Sequence, residues 1–146
     1  MTTIDIIQII RAACFQLKLE LNQEQLQQVR FNERTYDLED ISEFKRDLIE
    51  AGRKCNLFIL EHSIPATQIE SFITESKDPL LVFNREGNES KPEMFVCERS
   101  LVRFLFSDRQ VPVKEIETWL TSEDGYITIH TLIPYKDVVG DDQSDS

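Results

Sequence analysis

The side chains able to act as nucleophiles, bases or soft metal ligands are few and scattered. Thiols occur at Cys14, Cys55 and Cys97, imidazoles at His62 and His130. A Cys–His nucleophilic pair needs a reachable thiol, best at a helix N-terminus, where the dipole favours thiolate. Cys14 falls deep in an apolar helical run, Cys55 follows a helix end, and Cys97 closes an apolar strand run. All three read as small hydrophobes. No two of the five soft ligands stand at metal-ligand spacing, so no metal is expected. His130 is predicted on the strand face opposite Ile127 and Ile129, turned to solvent, and His62 in a polar turn Glu61-His62-Ser63. The acidic pairs Glu39-Asp40, Glu115/Glu117 and Glu123-Asp124 fit solvated helix faces or caps. Gly52, Gly87, Gly125 and Gly140 each stand alone, so no phosphate-cradling loop and no cofactor are expected.

The elements that would position these residues belong to one domain in a chain of 146 residues. With 40% apolar residues the chain can fill a core, and with a net charge of -11 it repels phosphate backbones. Nucleic acid and anionic lipid surfaces are excluded as general partners. Three separated cysteines and no secretory signal fit reduced thiols and a cytoplasmic setting. The most apolar stretch, residues 4–21, carries Asp5, Arg11, Lys18 and Glu20 and is too broken to span a bilayer.

Helical spacing of Ile6, Ile10, Ala13 and Leu17 predicts a first helix over residues 4–17, apolar round most of its circumference. Asn22 to Gln25 resembles an N-cap with a capping-box partner, opening a short helix with Leu26 and Val29 inward. A third helix is predicted from Asp37, with Leu38, Ile41, Phe44 and Leu48 on one face and Gly52 as its left-handed end. A strand follows at residues 56–60, then a helix after Pro65 carrying Ile69, Phe72 and Ile73. Residues 80–83, 94–97 and 101–106 are β-like runs, the first two joined by a polar turn over 84–91. They predict an antiparallel meander. A last helix is predicted from Pro112 with Val113, Ile116, Trp119 and Leu120, and a half-buried strand over residues 126–133. Residues 1–136 would form the domain and 137–146 an acidic tail or linker. Helices first and a small antiparallel sheet second makes the expected class α+β.

In that order, the elements resemble the papain-like cysteine peptidase domain at the N-terminus of bacterial ABC exporters, which trims double-glycine leaders from bacteriocins. The likeness covers most of the chain. It is carried by the opening helix, the short helix at Asn22 to Leu26, and the helix from Leu38 to Gly52. The strand pieces Asp78-Pro79-Leu80-Leu81-Val82, Met94-Phe95-Val96-Cys97 and Phe104-Leu105-Phe106-Ser107-Asp108 carry the rest. The resemblance implies N-terminal helices packed on a small antiparallel sheet. It also implies a nucleophile near Asp5-Ile6, a base near Glu93-Met94 and a third triad member at Asp108. Cysteine is missing at the first place and histidine at the second. An Asp that orients an imidazole has no task without the imidazole. The resemblance therefore implies a non-catalytic peptidase-like domain that binds the transported polypeptide. Its partners would be the exported peptide or protein and the transmembrane and nucleotide-binding domains of the same transporter, at the inner-membrane face. Two other readings stay open: a free-standing acidic module that binds a soluble partner, and an enzyme using Cys14 or Cys97 in a constellation not visible in the sequence.

Overall fold

The structure, a computed structural model, describes residues 5–21, 24, 27 and 36–135. Helix α1 spans Ile6–Gln16. Asp5 caps it: its side chain accepts the Gln8 amide, and the Gln8 side chain accepts the Asp5 amide. This reciprocal capping box satisfies two amides that would otherwise be orphaned. The helix stops without a glycine. Lys18 takes a left-handed φ of 57°, while Lys18 N–H donates to Phe15 and Leu19 N–H to Cys14, the paired bonds of a Schellman ending. Ile6, Ile7, Ile9, Ile10, Ala13 and Cys14 are buried, while Gln8, Arg11 and Phe15 are exposed. The helix thus lies on one face of the sheet, with one side left to solvent.

Helix α2 spans Ser42–Lys54, later at both ends than its sequence predicts. Asp37 and Asp40 bond the amides of Glu39 and Ser42 and build turns ahead of the helix. Gly52 does not end it. The chain continues to Lys54, and Asn56, with φ 61°, makes the left-handed exit. Gly52 is there for space: an added Cβ would lie 3.1 Å from Ile59 Cδ1 and 3.2 Å from the Leu57 carbonyl. The helix backbone is seated directly on β1.

Strands β1 (Leu57–Pro65), β2 (Leu80–Glu86), β3 (Glu89–Glu98), β4 (Leu101–Phe104), β5 (Gln110–Pro112) and β6 (Tyr126–Pro134) form one antiparallel sheet in the order β1-β6-β2-β3-β4-β5. A 3-10 turn (Ala66–Gln68) leads into α3 (Ile69–Glu75), and a 3-10 helix (Val113–Trp119) precedes β6. The expected α+β class and the β2-β3-β4 meander are both present. Several boundaries differ. Glu61-His62-Ser63 is strand, because β1 pairs with β6 over nine residues, Leu57↔Pro134 to Pro65↔Tyr126. The predicted turn over 84–91 shrinks to Gly87-Asn88, whose Gly87 φ of 66° suits a tight hairpin. β4 ends at Phe104, β5 was not foreseen, and the last predicted helix is 3-10. The short helix predicted at Asn22 to Val29 falls almost wholly outside the described residues, as does the acidic tail 137–146.

Both sheet faces are covered. Helices α1 and α2 pack on Leu57, Ile59, Leu81, Met94 and Leu132. α3 and the 3-10 helix pack on the opposite face, over Leu80, Val82, Phe95, Val102, Ile127 and Ile129. Alternate residues of the central strands therefore enter two separate cores. Gly52→Ala tests the contact of α2 with β1. Helix propensity alone favours Ala by about 1 kcal/mol, but overpacking typically costs about 1–3 kcal/mol. A net loss of stability is expected in urea unfolding; a gain would show that α2 moves away from β1 freely.

Candidate functional site

The positions implied by the peptidase resemblance can be taken one at a time. Ile6 opens α1 and is buried. Met94 is 1% exposed and belongs to the same apolar cluster, with Leu105 packed against it. Leu105 N–H donates to the Met94 carbonyl at 2.9 Å. Glu93 pairs with Val82 and so faces the other core. Of the two residues at the base position, only Met94 shares a face with α1. Asp108 is exposed in the turn between β4 and β5. Asp5 is exposed and occupied as the cap. One amide at the start of α1 that could favour a thiolate or an oxyanion, that of Gln8, is thus engaged by Asp5. Ile6 and Met94 come together as core side chains, and Asp108 stays outside that cluster.

Glu93 has its own surroundings. Asn84 Nδ2 donates to Glu93 Oε2 at 3.1 Å and to the Trp119 carbonyl at 2.9 Å, while Asn84 Oδ1 accepts the Thr121 amide. The Arg109 guanidinium lies 4.4 Å from the centre of the Trp119 ring. Asn84 thus ties β2 and β3 to the segment after the 3-10 helix, and Arg109 clasps the β4–β5 turn to the same helix. Burial pushes the Glu93 carboxyl above its usual range, and the Asn84 bond and Arg109 only partly offset it. These contacts join distant segments of chain through Asn84, and Glu93 supports that tether from the neighbouring strand.

A polar side chain, His130, lies on the face of the first core. His130 is 3% exposed, contrary to the solvent-facing ring expected of it. Strand alternation does put the ring opposite Ile127 and Ile129, but α2 covers that face. His130 Nε2 stands 3.1 Å from Glu61 Oε1, its partner across β1 and β6. Lys45 of α2 donates to the same oxygen at 3.3 Å and lies over the Phe83 ring, which meets His130 edge-on at 5.5 Å. Burial and then Lys45 hold the His130 ring below its ordinary pKa, against the pull of Glu61. Partial burial works to raise Glu61, but Lys45 and His130 outweigh it and keep the carboxyl low. His62 is on β1, not in a turn; it bonds Thr131 Oγ1 at 3.1 Å and packs on Phe72.

Among the described residues, no three His, Cys, Asp or Glu side chains gather as metal ligands, and no helix is long and apolar enough to cross a membrane. Burial raises all three thiols. Cys14, deepest in the first core and beside Cys55, is pushed up to about 11. No protein-family model matches the sequence, and no match to a curated protein was found.

Two tests follow from these environments. Iodoacetamide at pH 7 should label the folded chain slowly at every cysteine, half-buried Cys97 first, and labelling should become fast in urea. One rapidly reacting thiol in the folded protein would revive a nucleophilic role. Glu93→Gln should raise thermal stability at pH 7. Because the folded carboxyl titrates above its unfolded value of 4.5, the wild type loses stability as pH rises from that value through the folded pKa. The variant should not show that loss, and identical pH profiles would contradict the buried environment.

Proposed function

We propose that this chain is a non-catalytic peptidase-like domain of an ABC exporter that binds the polypeptide to be transported. The observation that supports the reading most is that Ile6 and Met94 belong to one apolar cluster. The two places where the resembled family keeps its thiol and imidazole lie in one cluster here, and both are apolar. A peptidase site emptied of its reactive groups retains a sheet and loops shaped for an extended chain. Leu101 and Phe106 leave apolar surface exposed on and just after β4, with Phe106 two residues before Asp108. The long outer strand β1 adds a backbone partner for an extended chain at the far edge. On this reading the domain works at the cytoplasmic face of the inner membrane, beside the transmembrane and nucleotide-binding domains of its transporter.

Titration of the isotope-labelled chain with double-glycine leader peptides, and with folded export substrates, tests the proposal. Saturable shifts clustered at Met94 to Asp108 and along α1, with the peptides left uncut, are the expected result. Absence of shifts with every candidate polypeptide would overturn it. In source-cell fractions, an antibody to the domain should detect a membrane-bound band several times heavier than 17.1 kDa. A soluble band at that mass would refute the exporter assignment.

A further inference from the structure

The geometry points to His130 as an acid-sensitive latch that holds α2 against the β1–β6–β2 part of the sheet. Its ring is shared by three elements: Glu61 of β1 bonds Nε2, Phe83 of β2 meets the ring edge-on, and α2 covers them through Lys45. Nε2 faces a carboxylate oxygen, so it carries the proton of the neutral ring. The lone pair is then on Nδ1, which is buried and has no hydrogen-bond partner among the described residues. A second proton at Nδ1 would create a buried donor with no acceptor in hydrogen-bond geometry. It would also put a cation beside the Lys45 ammonium, which already shares the Glu61 carboxylate. The charged groups acting on the ring are Glu61 from β1 and Lys45 from α2; β2 contributes the Phe83 ring and the Leu81 backbone. That backbone favours the charged ring without reaching hydrogen-bond geometry at Nδ1. Water reaches the protonated imidazole when the element above it lifts, and that element is α2. Acid therefore opens α2 while α3, on the other face of the sheet, stays in place.

This inference does not depend on the exporter proposal, because it concerns the packing of one helix. It is tested by amide hydrogen exchange on the 146-residue chain, corrected for intrinsic rates, at pH 7 and pH 5.5. A ring whose ordinary value of 6.5 is lowered while it is latched raises the α2 opening constant as pH falls over this interval, by no more than about eightfold. The amides of Phe44 and Leu48 should show that rise, and those of Ile69 and Ile73 should not. His130→Gln should flatten the pH dependence of α2. Should that variant fail to fold, Lys45→Met serves in its place: without the neighbouring ammonium the latched ring is easier to protonate, so the acid-driven opening should shrink. A His130 ring signal with a midpoint at or above 6.5, a flat α2 response, or equal opening of α2 and α3 would each overturn the latch.

Discussion

The sheet depends on where its last strand goes. β6 comes at the end of the described chain yet lies between β1 and β2, bonded to both. Until it arrives, β1 has no partner and α2 has no continuous surface beneath it. The nine-residue register with β1 is closed by contacts between positions about 70 residues apart, such as Glu61 with His130. Such a sheet pays its loop-closure entropy before the long-range pairs reward it, so β6 docking is expected late in folding. The meander from β2 to β5 needs only local turns and is complete without it.

That insertion also explains which parts of the fold could be read from sequence. Local signals were reliable: the apolar stripe of α1, the β2-β3-β4 meander, and the alternation of Ile127 and Ile129 along β6. Failures came where a partner far along the chain decides the outcome. Glu61-His62-Ser63 has turn-like chemistry, yet a nine-residue partner strand draws it into β1. Gly52 has the look of a helix end, but its lack of a Cβ serves the approach of α2 to Leu57 and Ile59. Lys18 makes the left-handed exit usually given to glycine, with nothing in its side chain to announce it.

The same distinction governs the polar groups. The face of His130 follows from strand alternation, whereas its burial requires knowing that α2 lies above. The Glu61–His130 pair was hidden because cross-strand partners on β1 and β6 carry no spacing rule. Glu93 carried no signal at all; its tie to Asn84, and through it to Trp119 and Thr121, is a product of tertiary structure. The positions near Asp5-Ile6, Glu93-Met94 and at Asp108 were named from likeness to a family. The structure separates them by face: Met94 joins Ile6, Glu93 turns to the opposite core, and Asp108 remains at the surface.

The start of α1 supports the proposed binding role over cleavage. A nucleophilic cysteine at a helix N-terminus gains from free amides and a positive dipole end, which lower its pKa. Here the Asp5 carboxylate already accepts the Gln8 amide, and Gln8 returns the bond. The favourable potential is used to start the helix, and the first side chain after the cap is a buried isoleucine. Met94, across the cluster, has no proton to take or give. Restoring chemistry would therefore need more than a Cys and a His at two positions. It would require water and polar partners in a region now packed with Ile6, Ile9, Ile10 and Met94. A single reversion would leave a buried, unsatisfied imidazole or thiol in that core, and its desolvation works against the charged forms that catalysis uses.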